Sequence, residues 1–287
     1  MSVIEGIKNI FAPSQSKCVV TLSHAVGMFE GGSVGEALGM PVKDRTAEQL
    51  HRSPVTDMLG FGDYQTPGGT LSVCSASSCG FATFMHDNEV QGFAPQRFLA
   101  LCNSWYLYKV KDEDAPLRLM LPAAVVAGCL FSALPRINIK DALAPLHDIV
   151  CDNCIASASL FFGVSKYLSS GFSPNEAVKK ASELSSKICS EIGLVVNSTG
   201  ITSSFKNILS SCFNSAEGGF SAMVLGAVNS GVFPDLSGYL VGALAGLHCT
   251  SDGIPSAWKS SISGIDSVCH SGEIVNTLIS HALENKV

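Results

Sequence analysis

The sequence predicts an all-α fold in one compact domain spanning residues 1–287, with residues 1–17 as a peripheral N-terminal segment. Two observations carry this. Apolar residues recur at helical three- and four-residue spacing in nearly every segment, while the strict alternation of a half-buried strand is scarce. The chain is also 46% hydrophobic but only 15% charged, against roughly a quarter charged in an ordinary domain. A chain that poor in charge must bury helices on several sides rather than along one stripe. No composition break, flexible linker or solenoid-length repeat divides it.

The elements follow in order. Gly27 to Lys43 places Gly31, Gly32, Gly35 and Gly39 among apolar residues. Glycine weakens a helix, so their density implies either close helix packing or backbone approach to a ligand. Gly60 to Gly69 reads as a Gly/Pro loop, and Gly69 to Ser75 leads out of it into a helix. Ala142 to Ser169 reads as one long helix, broken at Ser170-Gly171. The next helix restarts with Ser173 as N-cap and Pro174 in its first turn, and ends near Ile192 before Gly193. Ser221–Val228 and Leu236–Leu247 are expected as helical arms around the loop 229–235. Asp252 to Pro255 marks a turn, followed by helices over 256–265 and 273–283.

Several function classes drop out. The net charge is −6 with no long basic run, which speaks against a nucleic-acid surface. The longest apolar stretch, Leu119 to Leu134, contains Pro122 and is short for a membrane span. No basic n-region followed by an apolar core opens the chain. A soluble cytoplasmic protein is expected, without membrane or nucleic-acid partners. The eleven cysteines are scattered rather than arranged as a disulfide framework. Cys151 and Cys154 form a lone C-x-x-C, lacking the second pair of a zinc ribbon. Buried free thiols acting as small hydrophobes are the expectation for the set.

Three stretches carry chemical information: Gly35-Glu36-Ala37-Leu38-Gly39 with Pro41, Gly69 to Ser75, and Asn229 to Leu236 followed by Gly242 to Gly246. With Pro54-Val55-Thr56-Asp57-Met58, Arg118, Pro122, Leu146-His147, Asp252, Ile254-Pro255 and Trp258, they make a colinear set over roughly residues 20 to 265. In this order they resemble the ADP-ribosylglycohydrolase family (the ADP-ribosyl-acceptor hydrolases and dinitrogenase-reductase-activating glycohydrolases). The resemblance implies a compact orthogonal helical bundle and a hydrolase using two Mg²⁺ ions. Those ions would be held by a Thr/Ser-Asp-Asp-Thr turn and a Gly-Asp-x-Asp-Thr loop.

Transferred onto this chain, the first turn is Ser72-Val73-Cys74-Ser75 and the second runs from Val232 to Leu236. Ser72 and Asp235 keep oxygens at ligand positions. Val73, Cys74, Phe233 and Leu236 do not, and hard cations need several oxygen donors. A glutamate that gates the family's site falls on Lys43. The expectation is therefore a divergent member with no metal and no cofactor, Mg²⁺ included.

The site candidates are Cys74 and Asp235 for catalysis, and Gly35, Gly39, Ser72, Phe233 and Tyr239 for ligand binding. Each has a plainer alternative. Asp235 can be a helix N-cap, and Cys74 or Cys79 a buried small hydrophobe. Phe233 can fill the volume the metals vacated. His24, His86, His147 and His248 show no carboxylate partner at useful spacing. The functional expectation is a catalytically degenerate binding, regulatory or structural protein, with ADP-ribose or a nucleotide-like molecule as ligand. The alternatives are metal-independent chemistry through Cys74, Asp235 or a histidine, a crystallin-like structural role, and weak residual ADP-ribosyl hydrolysis. No protein partner is indicated.

Overall fold

A computed structural model of the chain describes residues 20–87, 121–122, 124–126, 128–129, 132–133, 138–144, 151–196, 201–214 and 218–284. The helices are α1 (Leu22–Gly39), α2 (Ala47–Arg52), α3 (Val73–Asp87), α4 (Ile139–Leu143), α5 (Asp152–Ser169), α6 (Pro174–Ile192), α7 (Ile201–Asn214), α8 (Gly219–Val228), α9 (Pro234–Cys249), α10 (Ser256–Ser261) and α11 (Ile265–Glu284). Short 3₁₀ turns, Met40–Val42 and Ser251–Gly253, follow α1 and α9. No strand occurs among the described residues. None of their helices is long and apolar enough to cross a membrane.

The centre of the molecule is the pair α1 and α9. Both are buried on every side, α1 from Gly27 through Gly39 and α9 from Pro234 through Leu247. They run antiparallel with their backbones in contact. A Cβ built on Gly27 would lie 2.6 Å from the Gly246 carbonyl oxygen, one on Gly31 2.3 Å from that of Gly242, and one on Gly35 1.9 Å from that of Gly238. The seam ends at Gly39, where a Cβ would lie 2.3 Å from the Pro234 carbonyl oxygen. Glycines four apart share one helix face, so one full turn separates successive contacts along the seam. No side chain fits there, and close backbone approach replaces side-chain interdigitation. Of the two readings open for Gly35 and Gly39, helix packing is the one this geometry displays.

The other helices wrap this pair. α5 packs on α6 and reaches α9, α11 lies on α1 and α3, α8 on α9, and α7 on α6 and α8. In α6 the buried residues Ala177, Val178, Ala181, Ser185, Ile188 and Cys189 form the single stripe of an outer helix. Its ends are as expected: Ser173 and Glu176 form a capping box, and Gly193 closes the helix at φ 84°.

Three boundaries differ from the sequence reading. The long helix expected over 142–169 is not continuous, because Cys151 is extended (φ −61°, ψ 146°) and serves as N-cap of α5. α9 starts at Pro234 rather than Leu236, since Pro fits the first helical position. The C-terminal helices divide at Gly264 (φ 78°), and α11 then runs unbroken through Gly272. At Gly272 the absence of a side chain lets α11 approach the backbone of Val26 in α1.

Candidate functional site

The two turns singled out in the sequence converge on the C-terminal half of α1. Glu36 touches the first, and Gly39 meets Pro234 and Asp235 of the second. The loop between α2 and α3 is tied to the same end of α1. Asp63 takes a two-pronged contact from Arg45, with Nε to Oδ2 at 2.8 Å and Nη2 to Oδ1 at 2.6 Å. The backbone N–H of Asp63 donates to the Pro41 carbonyl. Lys43, at the position of the family's gating glutamate, lies over the Tyr64 ring at 4.3 Å, a cation–π contact.

Glu36 organises the first turn. It is fully buried and accepts three hydrogen bonds: from Ser72 Oγ at 2.6 Å, the Cys74 N–H at 2.8 Å and the Ser75 N–H at 3.0 Å. Those amides open α3 and would otherwise lack partners. The carboxylate therefore caps α3 from a neighbouring helix, with its charge at the positive end of the helix dipole. Below it, Ser75 Oγ meets Ser33 Oγ at 3.0 Å, and Tyr239 Oη donates to Ser78 Oγ at 2.5 Å. These bonds join α1, α3 and α9 through polar contacts inside the core.

The candidate residues fall into place around this cap. Ser72 is half-buried and spends its hydroxyl on Glu36. Val73 is 37% exposed, whereas the Cys74 side chain is wholly enclosed. Tyr239 is also wholly enclosed, its ring lying over Gly32, and cannot stack on a ligand entering from solvent. Burial moves its phenol well above the usual range. Asp235 is 1% exposed and is not the N-cap. Phe233 holds that position at φ 44°, ψ 66° with Pro234 next, so Asp235 sits in the first turn of α9. A left-handed phenylalanine is a strained conformation. The ring of Phe233 is half-buried against the core.

Two motif fragments far apart in sequence meet in space. The Trp258 indole N–H donates to Asp57 Oδ1 at 2.5 Å, and this bond, with that from the Met58 amide, holds the Asp57 carboxyl below its usual range. Asn229 grips Val55 in both directions, accepting from its N–H at 2.8 Å and donating to its C=O at 2.9 Å. Segment 54–58 is thus a structural strap.

Near the middle of α1 lies a second buried acid. Glu30 accepts from Ser251 Oγ and Cys269 Sγ, and faces Lys259 Nζ at 3.5 Å. Burial and this carboxylate push the Cys269 thiol up to about 12. Sequence reasoning singled out neither Glu30 nor Glu36 as a site residue. The available signal was the cost of burying a carboxylate within a Gly-rich apolar helix, which demands hydrogen-bond partners nearby.

The described histidines do not join the turns. His24 Nδ1 lies 2.7 Å from Thr21 Oγ1 at the start of α1, and burial lowers its pKa. Burial likewise lowers that of His248, with His24 adding to the effect. His86 does have a carboxylate neighbour, Asp87 at 3.4 Å, but both side chains are exposed. Arg118 and His147 lie outside the described residues.

A pair of hard cations would require several free oxygen donors. The buried acids at this end of α1 are Glu36, whose two oxygens already serve three donors, and Asp235; the exposed Asp63 is paired with Arg45. Cys74, Phe233 and Leu236 stand at the remaining positions with a thiol or hydrocarbon. Among the described residues, no three or more His, Cys, Asp and Glu side chains are grouped to hold a metal ion. Among the described residues, this set offers few of the free anionic oxygens that a two-Mg²⁺ centre takes. A groove of about 490 Å³ opens elsewhere, between α5, α6 and α7, lined by Leu160, Ser185, Cys189, Leu194 and Lys206 among others.

At the level of sequence, no known family model and no curated protein matches the chain. Solved structures do match. One described as an "ADP-ribosylglycohydrolase-related protein complex" superposes with a TM-score of 0.56, over 90% of this chain and 98% of that chain, at 18% identity. The chain has the all-α fold of the ADP-ribosylglycohydrolase-related proteins, as its motifs led one to expect.

Proposed function

We propose that this chain is a non-hydrolytic protein on the ADP-ribosylglycohydrolase fold, acting as a binding or structural component rather than as a Mg²⁺-dependent hydrolase. One observation carries the reading. Glu36 is buried beside the turn that would present metal ligands, and its two oxygens accept three hydrogen bonds from that turn. Oxygens engaged in capping α3 leave few lone pairs to direct at an ion. The losses at Val73, Cys74, Phe233 and Leu236 point the same way. Replacement chemistry through Cys74 or Asp235 has less support, because both are sealed from substrate at 0% and 1% exposure.

The test is incubation of the full chain with ADP-ribosylated arginine and serine peptides, with Mg²⁺ or Mn²⁺ present. No ADP-ribose release above the peptide-alone rate is expected. Release that a chelator abolishes would overturn the reading. Thermal shift with ADP-ribose in the presence of chelator then separates the two remaining roles: metal-free stabilisation marks a binding protein, and a flat response a structural one.

A further inference from the structure

The C-x-x-C pair lies outside the candidate site and is divided between core and solvent. Cys154 is fully buried in the third position of α5, but Cys151, the N-cap, is exposed. The expectation that the scattered cysteines are all packing residues therefore fails at Cys151. Its sulfur lies 2.9 Å from that of Cys154, and the two thiols are not bonded. That is inside van der Waals contact for sulfur and outside the roughly 2.05 Å of a disulfide bond. The Cys154 and Ile155 amides both donate to the Cys151 carbonyl, so the turn carrying the pair is a formed helical turn. Residues three apart there have Cα atoms about 5 Å from one another, within the span a disulfide bridges.

We infer that Cys151 and Cys154 form a redox-active dithiol site, with Cys151 attacking a low-molecular-weight disulfide and Cys154 resolving the adduct. Exposure assigns the roles. A thiolate at Cys151 would be hydrated, and once deprotonated it would take a hydrogen bond from the Cys154 thiol 2.9 Å away at the positive end of α5. The same charge on Cys154 would be buried. The Cys151 thiol is accordingly lowered to about 6, chiefly by the Cys154 hydrogen bond, with burial and Asp152 opposing. The Cys154 thiol is raised.

The exchange balances without a metal. Cys151, having lost its proton to solvent, attacks one sulfur of the disulfide; a Cys151 mixed disulfide forms and one small thiolate leaves. Cys154 then attacks Cys151 Sγ, its proton passing to the second departing thiolate. Two protein thiols are oxidised and one small disulfide is reduced to two thiols. This site stands apart from the α1, α3 and α9 turns, so it holds whether or not the chain hydrolyses anything.

The probe is glutathione disulfide on the full chain, read by mass spectrometry. The tryptic peptide 141–166 contains Cys151 and Cys154 and no other cysteine, so its mass reports the pair directly. Wild type is expected to lose two hydrogens from this peptide with no glutathione retained. C154S should accumulate glutathione on Cys151, and C151S should leave Cys154 unmodified. Peptide 141–166 staying reduced in wild type, or C154S carrying no adduct while circular dichroism shows it folded, would overturn the assignment.

Iodoacetamide kinetics give a second readout that needs no variant. A thiol near 6 instead of the ordinary 9.0 has far more thiolate at pH 5.5, partly offset by weaker nucleophilicity. Cys151 should therefore react roughly thirty-fold faster than an unperturbed thiol at pH 5.5, and only about four-fold faster at pH 7. A rate equal to an unperturbed thiol at both pH values would equally overturn it.

Discussion

Replacing Glu36 by glutamine keeps the shape of the side chain and removes only its charge and one acceptor. The amide oxygen can still take Ser72 Oγ and the Cys74 N–H, both of which now meet Oε1. The NH₂ then faces the Ser75 N–H that Oε2 accepts at 3.0 Å, setting donor against donor. A hydrogen bond to a charged group contributes about 1.5–3 kcal/mol, and a buried unpaired donor costs about 1–3 kcal/mol. The favourable pairing of the carboxylate with the α3 dipole is lost as well. Relief from burying a charge offsets part of this. The expected net loss is about 2 kcal/mol, near 4 °C in Tm for a chain of this size. Glu36→Ala, which strands all three donors and leaves a void, should cost about 4 kcal/mol.

Equilibrium urea denaturation supplies the measurement, and amide hydrogen exchange localises it, because the Cys74 and Ser75 amides should lose protection first. A Glu36→Gln protein as stable as wild type, or more so, would refute the cap. Gains in stability on removing a charged residue are the mark of a group kept for function at the expense of the fold.

Other expectations test other parts of the molecule. Gly35→Ala puts a Cβ 1.9 Å from the Gly238 carbonyl oxygen and forces the central helices apart, costing about 3 kcal/mol as overpacking; a loss under about 0.5 kcal/mol in chemical denaturation would contradict the backbone-contact seam. Gly226→Ala is the opposite case, an exposed helical position whose new Cβ meets only the Cys212 thiol at 3.2 Å, and the gain in helix propensity should stabilise by about 0.5–1 kcal/mol in the same assay. Asn229→Ala strands both backbone groups of Val55 and should lower stability by about 2 kcal/mol while raising protease cleavage within 54–58. The Asp63 carboxyl is held below its usual range, first by the Arg45 hydrogen bond. Its contribution is thus fully present above the unfolded carboxylate pKa of about 3.9 and is lost as pH falls through the lower folded value. The Tm difference between wild type and Asp63→Asn should accordingly hold steady from pH 7 to 5 and shrink below pH 4, whereas a difference independent of pH would remove the ion pair from the account.

Local signals in the chain were legible because they act within one turn of helix. Helical periodicity, the Ser173–Glu176 capping box with Gly193 after Ile192, and the loss of oxygen donors at Val73, Cys74, Phe233 and Leu236 all follow from residues read in order. Contacts between distant segments were not legible in that way. Whether Gly35 and Gly39 face a ligand or another backbone depends on Gly238 and Pro234, some two hundred residues further on. Whether Glu36 is poised or spent depends on three donors in another helix. The roles within Cys151-Asp152-Asn153-Cys154 depend on which thiol the packing of α5 leaves in water. The sequence by itself determined a helical protein of this fold, because helical periodicity and the colinear motifs are read residue by residue. Only the tertiary structure decided what the surviving motif residues do, because hydrogen-bond satisfaction and burial belong to the assembled core.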